Sequence, residues 1–156
     1  MKLLLASFFR RSDNPRAPVE WPGHGTFKPN RRDRSYWGVE VDWCGSQTKF
    51  YPEAETAQGV QDALATADTL LDSSDQWHAR LKEACIEDGY QIWREHYRDE
   101  EDADLSPDQW WDELSVFFVV FDTDGQFDFV MFGADLGGMK FEARGDLSAG
   151  FTCVTD

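Results

Sequence analysis

Hydrophobic and polar positions along this chain change period twice, and the changes divide it into three stretches. In Val39-Glu40-Val41-Asp42-Trp43 the apolar side chains alternate with acids, which predicts a half-buried strand. Gly45-Ser46-Gln47 reads as a turn and Thr48 to Tyr51 as a short returning strand stopped by Pro52. From Glu55 to Leu71 the spacing lengthens: Val60, Leu64, Ala67 and Leu71 recur at helical intervals on an Ala-rich background. Ser73 with Gln76 fits a capping box for a second helix whose stripe is Trp77, Leu81, Ala84 and Cys85, and Gly89 is placed to end it in the left-handed conformation. Tyr90, Trp93 and Tyr97 continue the helical spacing. Ser106-Pro107-Asp108-Gln109 then supplies an N-cap, a proline at the first helical position and a glutamine at the third, opening a short helix with Trp110, Trp111 and Leu114.

Beyond it the period returns to that of strands. Val116 to Phe121 is apolar on both parities, so it should be central in a sheet and covered on one side by helices. Phe127 to Phe132 answers it across Asp122-Thr123-Asp124-Gly125, and Asp-Gly between apolar runs is a hairpin signal. Gly137-Gly138 leads into a strand from Met139 to Ala143, and Gly145-Asp146 turns the chain into Phe151 to Val154. The pattern predicts an α+β single domain: a mainly antiparallel sheet with a block of three to four helices packed on one face. Residues 1–35 stand apart as an N-terminal strand (Met1 to Phe9) followed by a loop-like basic arm rich in Pro and Gly, and residues 36–156 form the α+β domain. The apolar run after Met1 is cut short by Arg10-Arg11 with no small-residue cleavage site, unlike a signal peptide, and no stretch reaches the roughly 20 apolar residues of a membrane span.

Charge sharpens this division. Residues 1–34 hold eight basic and three acidic side chains, whereas the other 122 residues hold seven basic and 27 acidic ones. A field of that sign repels phosphate backbones and anionic membranes and attracts basic proteins, although acidity also serves solubility or a salty habitat. Nucleic-acid and membrane partners are therefore not expected. Cys44, Cys85 and Cys153 are odd in number and widely spaced, which suits free thiols in a reducing cytoplasm and gives no disulfide framework.

Candidate chemistry is sparse. His24, His78 and His96 form no ligand-spaced pair, and no zinc spacing, nucleophile elbow or phosphate cradle occurs. A Cys85–His78 pair would lie within one helix, where both residues suit the core better than catalysis. Asp122, Asp124 and Asp128 share oxygen-rich spacing with calcium loops, yet glycine falls at the fourth position instead of the sixth and the twelfth-position Glu is missing, so a hairpin turn explains them better. No cofactor and no metal are expected, and an enzyme is disfavoured.

The tryptophans are more informative. Trp43, Trp77 and Trp93 suit a core. Adjacent helical residues point about 100° apart, so one of Trp110 and Trp111 is expected at a rim. Beside it runs an acidic linker, Asp99, Glu100, Glu101, Asp102 and Asp104, and the expected partner-binding site is this charged rim with Trp110 or Trp111 as anchor.

From Trp77 through Tyr90, Trp93, the capped segment Ser106 to Leu114, the Asp124-Gly125 hairpin and the strands around Gly138 and Gly150, the arrangement resembles a group of uncharacterised prokaryotic domains of unknown function, over residues 36–154. For that group no catalytic residues are established. Small acidic α+β chains of this kind also look like immunity proteins of bacterial toxin systems, and this likeness implies neutralising a toxin by direct binding; the expected partner is a basic protein, and the chain is expected to be a cytoplasmic monomer or weak homodimer. The alternatives are a hydrolase-like enzyme whose site is assembled only in the fold, or a self-associating structural subunit.

Overall fold

The computed structural model describes residues 14–156. The strand expected at Met1 to Phe9 lies outside the described residues. Six strands form one sheet in the order β3-β4-β5-β6-β7-β8: Val39–Trp43, Ser46–Pro52, Ser115–Phe121, Gln126–Gly133, Met139–Asp146 and Gly150–Thr155. Every neighbouring pair is antiparallel except β4 and β5, which run parallel because the whole helical segment crosses between them. The strand that is apolar on both parities, β5, is interior to the sheet as the pattern predicts.

One row of side chains, Val39, Phe50, Val119, Phe129, Ala143 and Val154, runs in register across all six strands. Its members are buried apart from the partly covered Val154. The helices lie over this face: α1 (Ala57–Asp72), α2 (Ser74–Ala84), α3 (Tyr90–His96) and α4 (Pro107–Asp112). They do not make the packed block expected from the sequence. The π-helical turn Cys85–Gly89 joins α2 and α3 into one rod, and each rod presses its own aromatic or aliphatic stripe onto the sheet. Large aromatics explain this, because Trp77 against Phe127 and Trp110 against Phe141 fill the interlayer space that helix–helix packing would otherwise close.

Two local signals are overridden. Gly89 does not end the helix, since its φ is −79° and the chain continues into α3. A Cβ there would stand 3.1 Å from the Trp110 ring and 3.2 Å from Phe141, so the missing side chain serves close packing. The Ser73 side chain makes no cap hydrogen bond, whereas Ser106 and Gln109 do form the capping box of α4.

The segment expected to be a loop-like arm is built into the same core from Asn14 onward. Val19–Trp21 (β1) and Gly25–Phe27 (β2) make a small hairpin with Val19, Trp21 and Phe27 buried. Trp21 packs near Phe50 and Phe121 and donates its indole N–H to Asp68 at 2.8 Å, while the Arg16 guanidinium donates to the carbonyls of Asn30, Asp33 and Ser35. Alternation hidden by Pro and Gly punctuation, with only three residues per strand, left no periodic signal to read.

Candidate functional site

Two places on the molecule gather functional side chains. The first is a small cavity of about 160 Å³ lined by Trp43, Cys44, Ser46, His78, Trp111, Asp112 and Ser115. A histidine, a thiol and a carboxylate around one hollow are the ingredients of nucleophilic catalysis, but their states oppose it. The Trp43 indole N–H donates to Nδ1 of His78 at 3.1 Å. An indole can only donate, so Nδ1 carries the lone pair and the neutral ring keeps its proton on Nε2. The other ring nitrogen, Nε2, is then already protonated and takes no proton from a nucleophile. Burial also pushes the His78 pKa down, despite the opposing field of Asp75. Cys44, in the β3–β4 turn with φ 51°, has its thiol pushed up by partial burial and by Asp75 and Asp42, which disfavours thiolate. The pair is a strut between β3, α2 and α4. Cys85 is wholly buried and its thiol is pushed far up by desolvation, so a Cys85–His78 dyad does not form either.

The second place is the sheet face that no helix among the described residues covers. Opposite the buried row, Glu40, Lys49, Phe118, Val130, Glu142 and Thr155 are in register, and beside them Tyr51, Val120, Asp128, Arg144 and Cys153 form a second row. Between Val116 and Phe118 the β5–β6 register slips, so Phe117 is an extra residue with no partner on β6. Such a bulge re-aims a side chain. Here Phe117 and Phe118 both line one groove of about 450 Å³ with Tyr51, Glu40, Gln47 and Lys49. Phe117 is 62% exposed, Phe132 beside it 39%, and Trp37 at the other end of the face 55%; no other large hydrophobic among the described residues is so open. Charges frame the aromatics: Arg144 pairs with Asp128 at 2.8 Å, and Glu40 sits opposite Lys49.

The structure places the residues predicted as a partner site differently. Trp110 is 0% and Trp111 9% exposed. Neither is at a rim, contrary to the expectation from their 100° separation, because α4 is only six residues long and is wedged between the α2–α3 rod and the sheet: Trp110 stacks on Phe141 and Trp111 meets His78. Asp99, Glu100, Glu101, Asp102 and Asp104 are exposed in the α3–α4 connection, and none of them lines the grooves of the open face. Arg98 ties this loop down through the carbonyls of Ala103 and Asp102 and an ion pair to Asp104 at 3.9 Å. His96 is exposed and His24 lies against Trp21. Asp122 accepts from the backbone N–H groups of Asp124 and Gln126, and Asp128 holds Arg144, so the aspartates of the calcium-like spacing serve the hairpin and the sheet. Among the described residues no three His, Cys, Asp or Glu side chains converge as metal ligands, and no helix is long and apolar enough to cross a membrane.

Sequence reasoning did not single out Trp37, Tyr51, Phe117, Phe118 or Phe132. A signal existed in Val116 to Phe121, whose second parity of apolar side chains has to face something other than the helices.

No family model, no curated protein and no solved structure matches this chain.

Proposed function

We propose that this chain is a binding module for a basic protein, docking it on the uncovered face of the six-stranded sheet. One observation carries the reading: the β5 bulge turns Phe117 outward next to Phe118 and Phe132 on a face with no helix over it among the described residues. Exposed aromatics at the centre of a charged frame are the composition of a binding hot spot, and each fully covered Phe contributes on the order of 1.5–3 kcal/mol. The net charge of −15 selects the sign of the partner and raises its encounter rate. In this reading Asp99, Glu100, Glu101, Asp102 and Asp104 steer the partner by their charge, and the anchor expected at Trp110 or Trp111 passes to Phe117. An immunity-type protein that masks a toxin in the cytoplasm, where its three cysteines stay reduced, fits these features. A second copy fits them less well, because two bodies of −15 repel. Proton-transfer catalysis is disfavoured by the His78 tautomer.

Capture experiments from native cells test the reading with three baits. A basic protein should be retained by the wild-type chain, released by salt and lost with Phe117→Ser. A chain in which the five acids of the α3–α4 connection are replaced by Asn and Gln should associate on the order of tenfold more slowly at low salt and retain the partner. Equal retention by wild type and Phe117→Ser would move the interface off this face.

A further inference from the structure

At one end of the same face, a groove of about 480 Å³ is lined by Trp37, Tyr51, Val120, Arg34, Glu53 and Glu55, among others. Its aromatic walls are anchored differently, Trp37 through its backbone and Tyr51 through its ring. The Trp37 backbone N–H donates to the Lys28 carbonyl at 2.8 Å, and the flanking ladder continues with the Asn30 N–H to the Ser35 carbonyl at 2.9 Å. Tyr51 lies across the strand pair over Gly38, where a Cβ would stand 2.8 Å from its ring, so the glycine makes a seat that holds the phenol flat against the sheet. Carboxylates stand at the same groove. Glu55 already holds one guanidinium, that of Arg34, at 3.6 Å, while Glu53 makes no ion pair among the described residues.

We infer that this groove receives an arginine side chain of the docked partner, stacked against Trp37 and Tyr51 and paired with Glu53. The inference rests on the docking reading above and adds to it the chemistry of the contact. A planar guanidinium stacks on aromatic faces, keeps its charge and gives parallel hydrogen bonds to a carboxylate, which a lysine ammonium does not. Tyr51 is common to both grooves, with its ring edge-on to Phe118 at 5.6 Å. The partner segment that fills them therefore carries an arginine beside an aromatic or aliphatic residue, the first at Trp37 and the second at Phe117 and Phe118.

The test uses the full chain labelled with nitrogen-15 and two blocked tetrapeptides, acetyl-Ala-Arg-Phe-Ala-amide and the same peptide with neutral citrulline for arginine. Trp37→Phe assigns the Trp37 indole signal. The arginine peptide should shift that indole and the Phe117 and Phe118 amides saturably. The citrulline peptide should bind about fivefold more weakly, as should the arginine peptide to Glu53→Gln, since an exposed cation–π contact and one ion pair are each worth a few-fold. Equal titration of the Trp37 indole by both peptides, with Phe117 and Phe118 still shifting, overturns the arginine site and leaves the docking face standing. Shifts confined to the amides of Asp99 to Asp104 overturn both. Shifts of Trp37 and Phe117 with protein concentration alone, before peptide is added, assign the face to a second copy and likewise overturn the inference.

Discussion

The indole N–H of Trp43 ends on Nδ1 of His78, 3.1 Å away, joining strand β3 to helix α2 across the edge of the core. That single bond fixes the imidazole as an acceptor on one side, and it turns a residue with catalytic potential into a pH-sensitive part of the scaffold. Protonating His78 would place a second N–H against the indole N–H in a half-buried site.

Stability should therefore fall on mild acidification. Burial lowers the His78 pKa from its ordinary 6.5, so below pH 6.5 the unfolded chain binds a proton that the folded chain refuses. Stability is complete above that value and declines as pH drops towards the lowered folded value. Asp33 and Asp146, whose pKa values are depressed by hydrogen bonds from Ser35 and Ser148, add a separate loss only below their ordinary 3.8. Urea midpoints at pH 7.5 and 5.5 check this. The wild type should be weaker at 5.5, and His78→Gln should lose that difference.

Two serines that look alike in sequence should behave differently. Ser106→Ala removes a side-chain bond to the Gln109 N–H at 3.2 Å and opens the capping box, at a cost of about 1 kcal/mol. Ser73→Ala removes no cap bond and should stay within about 0.5 kcal/mol. Equal losses in thermal or chemical melts would mean that Ser73 caps α2 in solution.

Glycine at 145 is required by the β7–β8 pairing. A Cβ there would collide with the backbone carbonyl of Gly150, which has no rotamer to yield, and would also press on Phe127 at 3.0 Å. Gly145→Ala should cost about 1–3 kcal/mol and detach the edge strand, read as faster amide exchange in residues 150–155. Phe117→Ser, on the open face, should leave the melt within about 0.5 kcal/mol of wild type.

Periodicity alone determined most of the element list. The Val39 to Trp43 alternation, the α1 stripe, the Ser106 box and the Asp124-Gly125 hairpin rest on contacts within a few residues, so local sequence carries them. Charge imbalance and the absence of ligand-spaced motifs are likewise properties of the chain itself. Tertiary structure decided what depends on which face a side chain meets. Trp110 and Trp111 diverge on a helix surface, yet both are buried because α4 is enclosed from two sides, and that enclosure is made by Tyr90, Phe141 and His78, all far from α4 in the chain. Gly89 could have ended a helix or admitted a neighbour, and the ring of Trp110 selected the second. The outward turn of Phe117 follows from a one-residue slip between two strands, and strand register is set by the pairing of both partners, never by one strand read alone.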